Sequence, residues 1–229
     1  SSDVCSSDLI IFLIIFTSLT FSINYIIQNK LYPDFSKFFS NNNYDKRLDS
    51  VVLPDYNPNL LKSEKDRNKK YSFSEGQLKR IFERIKNDII KNRVVDAQLN
   101  INKIQLSNAS PSVKLKTEIL EDFINEPDYA LFKNKISYSD FLKEKQIYNN
   151  VYVKWQGRVV NLKNQNKKIS FDFILGDEEA GINLGKIPVV FVKPVILNYN
   201  EKIRVFGKIT KDANHYYLAG LYVIKLNKK

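Results

Sequence analysis

The sequence predicts an α+β protein with three parts: an N-terminal membrane helix, a helical middle segment and a C-terminal five-stranded β-barrel. Three observations carry this prediction. They are an uncharged apolar run near the N-terminus, apolar residues at helical spacing in the middle, and five segments of alternating polarity towards the C-terminus. Because 43% of the residues are hydrophobic and 13% are aromatic, the chain has enough apolar material for a folded core.

Residues 9–27, LIIFLIIFTSLTFSINYII, contain no charged residue. A helix needs about 20 such residues to cross a bilayer, so we place a transmembrane or signal-anchor helix at 10–29. We expect the protein to be membrane-anchored, with its C-terminal domain outside the cytoplasm. A buried core helix is one alternative. A cleaved signal peptide is the other, although Thr20-Phe21-Ser22 is a poor cleavage pattern.

The first nine residues, SSDVCSSDL, resemble translated sequencing-adapter sequence, and we expect residues 1–9 to be non-native. The sequence contains no methionine, so we do not expect Ser1 to be the initiating residue. Cys5, the only cysteine, lies in this stretch. The rest of the chain therefore has no residue for a disulfide, a thiolate nucleophile or a cysteine metal ligand.

Residues 30–72 are polar, contain three prolines and show little periodicity, which predicts a flexible tether. The segment 73–136 then has a helix–strand–helix pattern. Ser74 begins a capping box, and the apolar residues that follow have helical spacing to about Asn92: Leu78, Ile81, Phe82, Ile85 and Ile89.

An alternating stretch comes next, with apolar residues at Leu99, Ile101, Ile104 and Leu106. This alternation predicts a strand with a one-residue slip near Asn102 and Lys103. A second helix is predicted by a capping serine and a proline at the first helical position. Its cap, first residue and apolar side are Ser110, Pro111, Leu115, Ile119, Leu120, Phe123 and Ile124.

The segment 137–229 begins with a short helix near Ser139 and continues with five predicted strands. The strands are VYVKWQGRVVNL from Val151, KISFDFIL from Lys168, IPVVFVK from Ile187, EKIRVFGKIT from Glu201 and HYYLAGLYVIKL from His215. Short strands at near-regular spacing, separated by turn-rich segments, indicate a small barrel or sandwich. Gly157 and Gly207, each inside a strand, mark places where a coiled strand bends.

These strands resemble an OB-fold, and more narrowly the tRNA-anti-like group of bacterial OB-fold proteins with an N-terminal membrane segment. The resemblance is carried by SDFLKEKQIYNN, VYVKWQGRVV, EKIRVFGKIT and HYYLAGLYVIKL. The link KPVILNYN departs from the pattern, because it is too short for the helix that many OB-folds have between the third and fourth strands. We expect the helix before the first strand to close that end of the barrel instead.

Alternation along the strands separates a predicted core from a predicted outer face. The predicted core residues are Val151, Val153, Trp155, Ile169, Phe171, Phe173, Ile203, Val205 and Ile209. The candidate ligand-binding residues of the opposite face are Tyr152, Lys154, Arg158, Lys168, Arg204, Phe206 and Lys208, with Ser170 among them. Cations that track phosphates or carboxylates, with rings for stacking, suit a single-stranded nucleic acid or an acidic glycan. An ordinary solvated face is the alternative interpretation.

Catalysis has little support in the sequence. A hydrolytic triad or a metal site would need more than the single histidine, His215. Asp172, Asp177 and Arg204 are suitable residue types for a nuclease, but their spacing does not bring them together. The acidic run after Gly176 lacks the spacing of a calcium loop, and there is no phosphate-binding glycine loop. We therefore expect no enzyme activity, no metal and no cofactor.

With 36 Lys and Arg against 25 Asp and Glu, the chain has a formal charge of +11. Such a charge favours anionic partners. The sequence thus predicts a non-catalytic, membrane-tethered binding module whose partners are the membrane, through residues 9–27, and a protein or an anionic envelope polymer. The alternative hypothesis is a single-stranded nucleic-acid-binding protein.

Overall fold

The fold is known from a computed structural model, which describes residues 46–53, 69–133, 136–165, 168–177, 182–213 and 215–226. The residues predicted to be non-native, the predicted membrane helix at 10–29 and much of the predicted tether lie outside these ranges. Among the described residues, no helix combines the length and the apolar character needed to span a bilayer.

Five α-helices and one 3-10 helix precede the strands within the described ranges. They are α1 (Arg47–Ser50), α2 (Glu75–Ile90), α3 (Val94–Gln105), α4 (Pro111–Glu121), α5 (Tyr138–Lys143) and the 3-10 helix Lys145–Tyr148. Serine side chains cap α2, α4 and α5 by accepting a hydrogen bond from a backbone N–H of the first turn. The capping box at Ser74 and the proline at the first position of α4 confirm the predicted starts of both helices.

Helices α1 to α4 share one apolar cluster. Its buried members are Leu48, Val51, Leu78, Phe82, Ile85, Ile101, Ile104, Ala109, Val113 and Leu120. Leu48 and Val51 belong to a stretch predicted to be tether, and both are buried here. Leu48 lies in α1, and Val51 follows the last residue of this helix. Because the two residues are three positions apart, their side chains lie on the same side of the helix, where both pack onto the cluster.

The predicted strand around Leu99 to Leu106 is wrong, because these residues belong to helix α3. Val94, Gln98, Ile101 and Asn102 are buried in α3, which is the i, i+4, i+7 and i+8 pattern of one helix face. The alternating pattern fitted a strand only with a one-residue slip near Asn102. The helical spacing of the buried residues explains this break in the alternation. The segment resembles a strand because its β-branched residues are enriched in strands, while its asparagines are weak helix formers.

Helix α4 buries only part of its predicted apolar side: Leu120 is buried, and Phe123 and Ile124, just after the helix, pack against the cluster. Val113, Thr117 and Leu120 are buried, whereas Leu115 is 60% exposed and Ile119 is 38% exposed. The Thr117 hydroxyl donates to the Val113 carbonyl at 2.8 Å, and this bond allows a polar residue on the inner side.

Five strands form a closed barrel in the order β1-β2-β3-β5-β4. Their bounds are β1 (Tyr152–Gln165), β2 (Lys168–Asp177), β3 (Ile182–Phe191), β4 (Lys202–Asp212) and β5 (His215–Lys225). All neighbouring strands are antiparallel except β3 and β5, which are parallel. The α+β class with a five-stranded barrel is confirmed.

The predicted core residues of the barrel are all buried. Trp155 lies against α5, with its ring 5.3 Å from the Tyr138 ring and 5.8 Å from the Phe141 ring. Its indole N–H donates to the Ile136 carbonyl at 2.9 Å. The segment from Val192 to Asn200 contains no helix, as its length predicted, and α5 supplies buried aromatic side chains to the barrel core instead.

Gly157 and Gly207 lie where two strands approach each other closely. A Cβ atom at Gly157 would collide with the Ile174 carbonyl oxygen, and one at Gly207 would collide with the Ala219 carbonyl oxygen. The β4–β5 register shifts between Phe206 and Gly207. Both positions therefore need glycine for close packing of backbone on backbone.

Candidate functional site

Part of the predicted basic and aromatic face is covered by the chain itself. Residues 127–133, which we call the strap, place the rings of Tyr129 and Phe132 at 5.8 Å and 5.0 Å from the ring of Phe206. Phe206 is 0% exposed and Tyr152 is 7% exposed. The prediction that these two rings stand on an open face is therefore wrong, because a segment distant from the strands packs over them.

Lys154 is also held by the strap. Its ammonium group donates to the carbonyl oxygens of Tyr129 at 2.8 Å and Phe132 at 3.0 Å. It also lies 4.2 Å from the centre of the Tyr129 ring, a distance typical of a cation–π contact. Desolvation lowers the pKa of Lys154, and the Arg204 charge lowers it further. This lysine fixes the strap and is not positioned to receive a ligand.

Three other predicted residues remain at the surface in different places. The Arg204 guanidinium donates to the Gln156 side-chain oxygen at 3.3 Å. The Lys208 ammonium lies 5.6 Å from the Tyr152 ring centre, at the edge of the covered area. Lys168 is exposed at the first position of β2. The barrel therefore does not bring all seven predicted residues into one groove.

A compact basic array lies farther along the same outer surface. The register pairs Lys202 with Arg158, Arg158 with Ile174, and Ile174 with Lys186. These four residues, which we call the cross-strand row, follow one another over β4, β1, β2 and β3. At about 4.8 Å per strand the row is roughly 14 Å long. It crosses the strands at a large angle, so an extended polymer could contact all four strands.

Asp172 lies beside the row and balances one of its charges. Its carboxylate accepts from the Asn161 amide at 2.9 Å and from the Lys186 ammonium at 3.2 Å. The Asn161 hydrogen bond, with the nearby Lys186 charge, lowers the pKa of Asp172. The Lys186 side chain is nonetheless 68% exposed, so it can contact a ligand while it is paired.

The link between β3 and β4 ends against β1 beside the row and includes an exposed aromatic residue. The Arg158 guanidinium donates to the Asn200 side-chain oxygen at 3.3 Å, and the Asn200 N–H donates to the Val159 carbonyl at 2.8 Å. These contacts place the end of the link against β1. The neighbouring Tyr199 is 72% exposed, which is unusual for a large aromatic residue and leaves its ring available for stacking.

Sequence reasoning missed Tyr199, Lys186 and Lys202. Lys186 is the fifth residue of the observed β3, but it precedes Ile187, where the predicted strand begins. Lys202 lies in a predicted strand, but the sequence does not identify the strand beside it. Only the pairing register brings these lysines to Arg158. Tyr199 follows a turn-rich stretch, and its sequence gives no sign that it lies beside β1.

The residues considered for a nuclease do not converge. Asp172 pairs with Val160 and Arg204 pairs with Gln156, four residues apart on β1 and on opposite sides of it, so the two outer side chains start roughly 16 Å apart. The side chain of Asp177 lies outside the described residues. In the described part of the chain there is also no group of three or more His, Cys, Asp or Glu residues that could hold a metal ion.

The closed five-stranded barrel and its strand order define the class: the C-terminal part of the chain is an OB-fold domain. A family model described as the spirochaete C-terminal OB fold matches residues 129–224. The matched range starts at Tyr129, so it includes the two aromatic residues of the strap as well as the strands.

No curated protein matches the chain. Solved structures that match include a replication protein A heterotrimer bound to ssDNA, at 15% identity and a TM-score of 0.28, with 34% of this chain and 58% of that chain covered. The S. pombe Stn1-ten1 complex matches at 17% identity and a TM-score of 0.26, with 34% and 59% covered. The p204 HINb domain matches at 17% identity and a TM-score of 0.31, with 47% and 51% covered.

The chain thus spans between about half and three fifths of the length of these structures. At such identities and TM-scores the likenesses carry no argument about what this chain binds.

Proposed function

We propose that the protein is a non-catalytic, membrane-tethered binding module whose OB-fold domain binds a linear anionic polymer along the cross-strand row. The observation that supports this proposal is the alignment of Lys202, Arg158 and Lys186 in one row across β4, β1, β2 and β3, with the exposed Tyr199 in the link that ends at β1. Cations can follow the charges of a polymer while the ring stacks on a sugar or a base. The first candidate ligand is an acidic polymer of the cell envelope.

Single-stranded nucleic acid is the second candidate. It is favoured by the exposed ring of Tyr199, which precedes the Asn200 that accepts from Arg158, because stacking on a ring contributes about 1 to 3 kcal/mol per base. OB-folds in general bind oligonucleotides or oligosaccharides on the outer surface of strands 2 and 3 and on adjoining loops. The row includes both of those strands. The finer resemblance to the tRNA-anti-like group stays a prediction.

The experiment is a titration of two fluorescent probes, a polyuronate oligosaccharide and a 20-residue oligodeoxythymidylate, followed by anisotropy at low and physiological salt. The test variants are Tyr199→Ala and the pair Arg158→Gln with Lys186→Gln. A matched control, Lys116→Gln with Lys145→Gln, removes the same charge from the helical part of the chain. We expect each test variant to weaken binding about tenfold or more, which is roughly one lost stacking or charged contact.

Equal loss in the test and control pairs would contradict the proposal, because it would show that net charge alone drives binding. The probe that persists at physiological salt identifies the polymer class. Failure of both probes in the wild-type protein would leave a protein partner as the remaining hypothesis.

The membrane part of the proposal depends on residues 9–27, which lie outside the described residues. A reporter enzyme that is active only outside the cytoplasm, fused after Lys70, tests both the insertion and the orientation. We expect an active reporter. An inactive but well-expressed fusion would contradict an extracytoplasmic domain and would favour the nucleic-acid candidate.

A further inference from the structure

A second basic surface lies on helix α2, on the side opposite its buried face. Leu78, Phe82 and Ile85 are at most 2% exposed in the helical cluster, so the opposite side of α2 must face solvent. That side and the following turn form an open groove of about 550 Å³. Its lining residues are Lys79, Arg80, Glu83, Arg84, Asn87, Lys91 and Arg93.

Five of these lining residues are cations and one is an acid, so the groove has a net formal charge of +4. Lys79 pairs with Glu75 at 3.0 Å, and Arg93 pairs with the buried Asp88 at 2.5 Å. Arg80, Arg84 and Lys91 form no ion pair with any carboxylate in the described residues. These three are therefore the cations that an external anion would meet first.

The free cations form a straight stripe. Arg80, Arg84 and Lys91, with Asn87 between the last two, follow the i, i+4, i+7 and i+11 positions of one helix side and its C-terminal turn. At 1.5 Å rise per residue the stripe is about 16 Å long. A stripe of this length matches a linear polyanion better than a single phosphate ion.

The charge spacing further restricts the polymer. Along α2 and its C-terminal residue, Arg80 and Arg84 are about 6 Å apart and Arg84 and Lys91 about 10 Å apart, which corresponds to roughly two and three phosphates of one strand. One strand of a nucleic acid has one phosphate per roughly 3.4 Å of helix axis. Arginine and asparagine are also common donors to phosphate oxygens, because the guanidinium fork can make two parallel hydrogen bonds.

A membrane surface fits this groove less well. Helices that lie on membranes insert an exposed apolar face into the lipid. The apolar face of α2 is already used in the protein core, and all residues of the stripe are exposed and polar.

We propose that the groove on α2 binds the sugar-phosphate backbone of a nucleic-acid strand, with Arg80 and Arg84 as bidentate phosphate ligands and Lys91 as a third contact. This inference goes beyond the proposed function of the OB-fold domain and does not depend on it, because the two surfaces share no residue.

The test measures anisotropy of a fluorescent 20-residue oligodeoxythymidylate with the full chain between 25 and 200 mM salt, for the wild type and three double variants. Arg80→Glu with Arg84→Glu removes the proposed ligands. Lys143→Glu with Lys145→Glu applies the same charge change to exposed residues of α5 and the 3-10 helix. Arg80→Lys with Arg84→Lys keeps the charge but removes the guanidinium fork.

We expect the glutamate variant at α2 to lose at least tenfold in affinity and to lower the salt slope by about 1.4, since each lost contact to a single strand contributes about 0.7. The control variant should lose less than about threefold, since long-range charge effects are screened beyond about 10 Å at 0.1 M salt. The lysine variant should lose about threefold or more, because single hydrogen bonds replace bidentate ones.

Three results would overturn the inference: equal losses in the α2 variant and its control, unchanged binding in the lysine variant, or wild-type binding to phosphatidylserine vesicles with none to the oligonucleotide. The Tyr199→Ala variant in the same assay separates the two surfaces. If it alone loses affinity, the α2 groove is not a ligand surface. If only the α2 variant loses affinity, the cross-strand row does not bind nucleic acid, and the polyuronate titration decides its proposed function separately.

Discussion

Lys154 and Arg158 lie on the same outer face of β1, yet their surroundings differ. The Lys154 ammonium donates to two carbonyl groups of the strap and contacts the Tyr129 ring. Arg158 lies in the cross-strand row, with Asn200 as one of its partners. Both residues are polar positions in the same alternating strand. Alternation thus identifies the outer face of the barrel but does not tell which outer residues a later or earlier segment covers.

The carboxylate of Asp172 is expected to make the free energy of unfolding depend on pH. Hydrogen bonds from Asn161 and Lys186 hold its pKa below the ordinary 3.8. A carboxylate with a lowered folded-state pKa stabilises the fold above its unfolded pKa, and that contribution disappears as the pH falls through the folded-state value. We therefore expect Asp172→Asn to lower the free energy of unfolding at pH 6, and this difference from the wild type to shrink towards pH 2.

Urea unfolding of both proteins at several pH values measures this difference. Asp122→Asn, at the exposed end of α4, is the control and should stay close to the wild type at pH 6. A difference for Asp172→Asn that is the same at pH 6 and pH 2 would contradict the assigned hydrogen bonds.

At the scale of elements, helix α3 joins the helical part of the chain to the barrel through one buried amide. Asn102 donates to the carbonyl oxygens of Ile147 at 2.7 Å and Asn149 at 2.6 Å. Its own side-chain oxygen accepts from the Gln98 amide at 3.1 Å. The bonds to Ile147 and from Gln98 are buried and the bond to Asn149 is partly buried, so the loss of Asn102 leaves buried polar groups unsatisfied.

We expect Asn102→Ala to lower the free energy of unfolding by about 2 to 4 kcal/mol, because at least two buried groups lose their partner. Thermal or urea unfolding measures the change. Lys103→Ala, the next residue on α3 and only half-buried, is the control and should cost less than about 1 kcal/mol. Equal effects of the two variants would show that Asn102 is not the anchor.

The same helix shows where sequence reasoning reaches its limit. The capping serines at Ser74 and Ser110 and the period-2 strands are local signals, and they predicted helix starts and barrel strands correctly. Helix α3 has no capping side chain at Arg93, and its buried face includes Gln98 and Asn102. A helix with polar residues on its inner face cannot be recognised from apolar spacing alone, because tertiary hydrogen bonds satisfy those residues.

At the scale of the whole molecule, two apolar clusters are in contact. Val94 and Val95 of α3 belong to the barrel cluster, and Ile124 packs against both clusters. The sequence predicts a five-stranded barrel, because every predicted strand alternates between apolar and polar residues. It does not predict the strap or the cross-strand row, because both depend on contacts between residues far apart in the chain.

Shared packing predicts that the helices and the barrel unfold together. Trp155 is the only tryptophan and is buried between the barrel and α5, so its fluorescence reports on the barrel. Circular dichroism at 222 nm reports mainly on the helices. We expect coincident urea transitions from the two probes, as for a cooperative two-state protein. Two separated midpoints would instead show that the helical segment and the barrel are independent domains.

The closed order of the strands also bears on how the domain behaves when many copies are crowded together. Free strand edges are templates for edge-to-edge pairing and aggregation. Strands β3 and β5 pair only through residues 189–191 and 218–220. The earlier half of β3 therefore has no pairing with β5, and this stretch of backbone is the one most open to a foreign strand. Pro188, which has no N–H to donate, and the charged Lys186 lie in that half. Both residue types discourage the addition of a foreign strand along this half of β3.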